Sequence, residues 1–173
     1  MKLEWMGDYR PVIEAMIGMC NAYSQVVNLE VFRDGTVSVS PAELQVMEYI
    51  LENEERHENM SQIARRLCIS QSSFSKMVKH LVGKGLLEKY RTANNSKNII
   101  IQVSPSGRAF YEAYSSGEMT DVWRRIFRRM EGLDAETVQI FIDSLNEFTR
   151  DVQRGIENVS HPDQGKSELI KIE

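Results

Sequence analysis

Residues 60–87 read MSQIARRLCISQSSFSKMVKHLVGKGLL, and the order of caps, apolar positions and glycines in this stretch decides the architecture. Asn59 precedes it as an N-cap, and Gln62 completes a capping box ahead of a short helix with Ile63, Ala64 and Leu67 turned inward. That helix closes at Cys68-Ile69, because Ser70 is a good N-cap for a second helix, predicted over 71–82. Its apolar stripe is Phe74, Val78, Leu81 and Val82, and Gly83 and Gly85 bracket its end. Short helix, three-residue turn and amphipathic helix are the parts of a helix-turn-helix.

Downstream the period changes from helix to strand. Residues 86–91 and 98–103 are rich in strand formers, and the polar 92–97 between them holds the turn-prone pair Asn94-Asn95, which predicts a hairpin, a wing over 88–103. Ser104-Pro105 restarts helix, predicted to run to about residue 131, where Gly132 and Asp134 break it. A last amphipathic helix carries Val138, Ile140, Phe141, Leu145, Phe148, Val152 and Ile156. Upstream, Ser40-Pro41-Ala42-Glu43 is a capping box for a helix with Leu44, Val46, Met47, Ile50 and Leu51 as its stripe, followed by an acidic run, 52–58. Residues 9–32 read as one long helix stopped by Asp34-Gly35.

The predicted fold class is therefore mainly α with a small β-hairpin, a winged helix-turn-helix flanked by N- and C-terminal dimerisation helices. The expected organisation is an N-terminal dimerisation helix over 1–34, a winged domain over 35–107, C-terminal dimerisation helices over 108–158 and a flexible tail over 159–173.

Composition narrows the function. The 173 residues include 2 Cys, which excludes a disulfide-stapled secreted fold. The longest apolar runs, such as Ile99-Ile100-Ile101, fall far short of the roughly 20 residues that a membrane helix needs. The opening residues carry acids where a signal peptide is basic and apolar, so a reducing cytoplasm is expected. A net charge of −4 argues against a nucleic-acid partner until the charge is divided by segment. Residues 61–97 hold eight bases (Arg65, Arg66, Lys76, Lys79, Lys84, Lys89, Arg91, Lys97) and one acid, Glu88, a net of +7 inside a remainder of −11. A basic patch confined to one stretch is the footprint of a phosphate-backbone binder.

Within the helix over 71–82, Ser72, Ser75, Lys76 and Lys79 fall opposite the apolar stripe. Small hydroxyls let a backbone sink into a major groove, while lysines reach guanine edges or phosphates; Gln71, at the helix start, is placed to read adenine. In the hairpin, Lys89 and Arg91 lie on the incoming strand and Lys97 beside Asn94-Asn95, where a wing follows the backbone or dips into the minor groove.

The run 60–87, with its continuation IQVSPSG over 101–107, resembles the DNA-binding core of the MarR family of bacterial transcription regulators. The resemblance covers about residues 40–110 by motif. It implies a homodimer in which the first and last two helices intertwine and each winged helix takes one half of a pseudopalindromic site on double-stranded DNA. Position by position, Ser72, Ser73, Ser75, Lys76 and Lys79 fall on the groove-facing residues and Lys97 on the wing base. The sequence departs from the family's Asp-Arg-Arg wing signature, reading Asn95-Ser96-Lys97, and lysine lacks the planar fork suited to a narrow groove.

Members of the family bind small, often phenolic, effectors or sense oxidants through a cysteine on the first helix. Here Trp5, Met6, Tyr9, Met16, Met19 and Tyr23 line either such an effector pocket or plain core. Cys20 is either a redox sensor or inert packing. Arg124, Arg125, Arg128 and Arg129 are expected to pair with acids such as Glu131, Asp134 and Asp143, and His80 to be an exposed residue without a role. The three histidines pair neither with one another nor with a cysteine at ligand spacing, so no metal and no cofactor is expected. No nucleophile and base come together, which argues against an enzyme. The expected function is a DNA-binding regulator, a repressor released by a small ligand. The alternatives are a winged-helix module that binds protein, or an oxidant sensor acting through Cys20.

Overall fold

Local signals set most of the element boundaries. The computed structural model describes residues 4–35, 37–92, 95–117 and 120–160, and of 92, 95–98 and 157–160 the backbone alone. In chain order it contains α1 (Arg10–Val26), β1 (Phe32–Asp34), β2 (Val37–Val39), α2 (Pro41–Asn53), α3 (Met60–Arg66), α4 (Gln71–Gly83), β3 (Leu87–Thr92), β4 (Asn95–Val103), α5 (Pro105–Ser116), α6 (Asp121–Met130) and α7 (Ala135–Ser160). This is a winged helix-turn-helix with helices on either side. The chain divides into two units between Asp121 and Val122.

Both capping boxes form. Ser40 Oγ accepts from Glu43 N at 3.3 Å while Ser40 N donates to Glu43 Oε2 at 3.0 Å, and Asn59 and Gln62 repeat the exchange at 3.0 and 2.8 Å. The first unit's core is built on α2 and α4: Val46, Met47, Phe74, Val78 and Leu81 are fully buried. Leu86, Leu87, Ile101 and Val103 from the hairpin region and Phe110 from α5 close it. Strands β3 and β4 pair antiparallel from Leu87 opposite Val103 to Arg91 opposite Ile99, with a register shift between Arg91 and Thr92.

Four features differ from the sequence expectations. The long helix over 9–32 ends at Val26, and β1 pairs with β2 in a second small hairpin. Asp34-Gly35 is therefore a hairpin turn, with Gly35 at φ +57°, between segments of strand-forming residues. The single helix expected to residue 131 is split at Gly117, whose extended ψ of 172° cannot continue a helix, and α6 restarts at Asp121. The boundary expected between 107 and 108 falls inside α5, whose Phe110 belongs to the winged core. The acidic run 52–58 is not simply solvated: Glu54 accepts from Val103 N at 3.3 Å and Arg108 Nη2 at 2.5 Å, and Glu58 accepts from Tyr49 Oη at 2.5 Å and Arg66 Nε at 3.3 Å. The Glu54 bonds brace the wing and α5 against the segment after α2, and those of Glu58 tie α2 to α3.

In the second unit, Asp134 caps α7, accepting from Thr137 N and Thr137 Oγ1, both at 2.8 Å, which lowers its carboxyl pKa. Asp134 is thereby taken by the cap, and Arg125, Arg128 and Arg129 have no ion pair among the described residues, contrary to expectation. Trp123 and Phe127 stack on α6 at 6.4 Å while both remain more than half exposed. Ile140, Phe141, Phe148, Val152 and Ile156 are exposed along α7, which runs to Ser160; the expected tail beyond it, 161–173, lies outside the described residues. Among the described residues no helix is long and apolar enough to cross a membrane.

Candidate DNA-binding surface

The turn from α3 to α4 sets the direction of the second helix. Cys68 holds φ +57°, a conformation a non-glycine residue seldom takes, while Cys68 N donates to Arg65 O at 3.2 Å and Ile69 N to Ala64 O at 2.9 Å. Ser70 then caps α4, its Oγ accepting from Ser73 N at 3.2 Å and donating to Ser73 Oγ at 2.8 Å, with Ser72 Oγ 3.2 Å away. Three hydroxyls thus gather at the positive end of the helix dipole, beside backbone N–H groups that suit an anion.

One face of α4 is sealed in the core by Phe74, Val78 and Leu81, so the opposite face must meet solvent. Gln71, Ser72, Ser73, Lys76 and Lys79 are exposed there and Ser75 is half-buried. Lys76 and Lys79 have no ion-pair partner among the described residues. The charge they carry is therefore available to a ligand.

On β3, Lys89 and Arg91 alternate onto one face of the ribbon and are exposed without an ion pair among the described residues. The single acid of the basic segment, Glu88, accepts a hydrogen bond from Tyr90 Oη, and that bond raises the tyrosine pKa. The expected contacts Asn95 and Lys97 have their backbone in β4; their side chains, and the whole of Asn94, lie outside the described residues.

Lys84, counted with the basic patch, is spent within the protein. Its Nζ donates to Glu30 Oε1 at 2.7 Å, Ser38 O at 2.5 Å and Glu43 Oε2 at 3.2 Å. The bond from Lys84, aided by one from Ser38 Oγ, holds the Glu30 carboxyl at about 2. His80 joins the same group, with Nδ1 2.5 Å from Glu43 Oε1, and so is tied to the start of α2, not idle on the surface. Sequence offered no signal for this network beyond the charges themselves, because its members are far apart in the chain.

Of the residues expected around an effector, Trp5, Tyr9, Met19 and Tyr23 are exposed and Met6 and Met16 half-buried; no α1 residue is buried, and these side chains are not gathered around a cavity among those described. Cys20 is a free, exposed thiol on the same helix. Two open clefts lie elsewhere in the first unit. One, of about 280 Å³, is lined by Phe32, Arg33, Asp34, Phe110, Ala113, Tyr114 and Gly117. Beside it Tyr111 Oη donates to Glu48 Oε1 at 3.3 Å; burial, then the Glu48 charge, pushes the Tyr111 hydroxyl up to about 12, and burial also raises Glu48. The other, of about 360 Å³, opens beside Lys76, Met77 and His80.

The MarR family model matches residues 37–97, the span from β2 through the wing. Over that span the winged helix-turn-helix is similar to the MarR family. The solved structures agree on the fold. FabT of Streptococcus pneumoniae in complex with DNA is 16% identical, with 85% of this chain and 99% of that chain covered at a TM-score of 0.57. MepR of S. aureus, solved with DNA, is 17% identical, with 80% and 96% covered at 0.61. A mutant MarR from E. coli complexed with operator DNA is 15% identical, with 86% and 99% covered at 0.58. A comparison with curated proteins finds no match. The matched span contains α4 and β3, so every described residue of the basic face lies within it.

Proposed function

We propose that the chain is a DNA-binding transcription regulator whose α4 enters the major groove while the β3–β4 wing meets the flanking backbone or minor groove. The observation that carries this reading is the solvent face of α4, where Lys76 and Lys79 stand unpaired among the described residues, beside Ser72 and Ser75 and opposite a buried stripe. The match of residues 37–97 to the MarR family model and likeness of fold to proteins solved with DNA support it. In this reading Gln71, Ser72, Ser75, Lys76 and Lys79 face the bases, Ser73 and the helix N-terminus face phosphate, and Lys89, Arg91, Asn95 and Lys97 position the wing.

The working form is a homodimer. Apolar side chains left exposed on α1 and α7, among them Ile17, Met19, Phe141, Phe148 and Ile156, call for burial against another surface, and a second copy supplies a self-complementary one. In that form α1, α6 and α7 would serve dimerisation and the winged helix-turn-helix DNA. The two α4 helices would sit about 34 Å apart, matching half-sites one duplex turn apart. Occupying a promoter, such a dimer represses, and a small ligand that alters the spacing releases it.

Selection of bound duplexes from a random pool tests the reading. The expected product is a pseudopalindrome whose retardation in a gel is lost in the Lys76→Ala/Lys79→Ala double variant. Unchanged affinity in that folded variant would falsify the assignment of α4. Failure to retard any duplex at low salt would favour a protein partner.

A further inference from the structure

We propose that Glu30, Glu43 and His80 form a binding site for a divalent transition-metal ion, joining the segment after α1 and the start of α2 to the recognition helix. The three come from separate elements, yet one ligand atom of each lies within 4.8 Å of the other two. His80 Nδ1 is 2.5 Å from Glu43 Oε1, and His80 Nε2 is 3.9 Å from Glu30 Oε1. Imidazole nitrogen with carboxylate oxygen is a donor set for ions such as Zn²⁺, with one ring nitrogen of His80 as the ligand, and bonds of about 2.0–2.2 Å hold neighbouring ligand atoms somewhat closer together than the 4.8 Å that bounds them here. Small rotations of exposed side chains therefore suffice to seat an ion, since Glu30 and His80 are both exposed and only Glu43 is buried.

Charge argues for the same occupant. Two carboxylates, one of them the buried Glu43, face a single permanent cation, Lys84. A divalent ion supplies what is missing. Lys84 would yield its place without being stranded, because its Nζ also donates to Ser38 O at 2.5 Å. The way in is the cleft of about 360 Å³, which Glu30, Glu43 and His80 line together with Asn28 and Ser40. Lys76, one helical turn from His80, lines the same cleft.

The test uses the full chain carrying Cys20→Ser and Cys68→Ser, which removes competing thiols, stripped of metal and titrated with Zn²⁺ against a chromophoric chelator. One equivalent per chain is expected. Affinity should fall about tenfold or more in Glu30→Gln and in His80→Ala. It should rise in Lys84→Met, where the competing ammonium is gone. Glu43→Gln retains an N3 capping side chain, so weakened binding with unchanged circular dichroism there reports a lost ligand and not a lost fold. Equal Zn²⁺ affinity in the parent, Glu30→Gln and His80→Ala overturns the proposal, as does the absence of saturable binding in both the parent and Lys84→Met. The measurement is made on free protein, so its failure and a failure of the DNA reading are separate results.

Discussion

Gly107 lies so close to the carbonyl of Leu86 that a Cβ on it would stand 2.2 Å from Leu86 O. Ser104 tightens the same joint, its N donating to Leu86 O at 3.0 Å and its Oγ to Gly85 O at 2.6 Å. The start of α5 is thereby fixed against the residues that connect α4 to the wing. Gly107→Ala must push backbone away from backbone, and a loss of about 1–3 kcal/mol in urea-induced unfolding is expected. An unchanged midpoint would show that the joint is soft.

Ser70 caps the recognition helix and gathers the hydroxyls of its first turn. Ser70→Ala leaves a helix N–H unpaired, and a destabilisation of about 1 kcal/mol is expected in thermal or urea unfolding. Ser70→Gly should cost only a few tenths of that order. Unchanged stability in Ser70→Ala would mean that the cap bond contributes nothing.

Base readout and backbone attraction differ in their response to salt. Lys76→Ala should weaken the selected duplex by about 1–3 kcal/mol and relax preference at one base position. Lys89→Ala should weaken all duplexes alike and reduce the slope of log affinity against log salt by about 0.9. Fluorescence anisotropy at four or five salt concentrations separates them, and slopes equal to the parent's in both variants would place neither lysine on phosphate.

Glu48 is half-buried with no cation beside it among the described residues, and burial raises its pKa. A carboxyl raised on folding favours the protonated fold, so its contribution is fully present below the free carboxyl pKa and is lost as pH climbs through the folded value. Glu48→Gln is neutral throughout. It should therefore melt higher than the parent at pH 7, with the gap closing toward pH 4. A gap independent of pH would locate the effect in packing. Tyr111 works in the alkaline range: raised to about 12, it should cost stability between pH 10 and that value, a loss that Tyr111→Phe abolishes.

The winged core was legible because its signals are local. Ser40 with Glu43, Asn59 with Gln62, Ser70, and Ser104 with Pro105 each mark a helix start within a few residues, and α4 ends one residue from its expected limit. The β1–β2 hairpin is not legible, because an Asp-Gly pair stops a helix as readily as its φ > 0 turn joins two strands. The break at Gly117 is hidden by a helical pattern that continues on both sides of it. The Lys84 network was out of reach for a different reason: Lys84 finds Glu30 across 54 positions and His80 finds Glu43 across 37, and side-chain charge carries no address. The face of α4, by contrast, followed from helical periodicity alone.

The unpaired cations of α4 and β3 give the molecule opposite behaviour on two kinds of chromatography resin. Its net charge of −4 holds it on an anion exchanger near neutral pH, yet Lys76, Lys79, Lys89 and Arg91, without an ion pair among the described residues, offer a sulfated polysaccharide a basic strip. A chain retained by both media, and shed from heparin by duplex DNA at constant salt, would be an electric dipole that turns its basic end to the nucleic acid before contact.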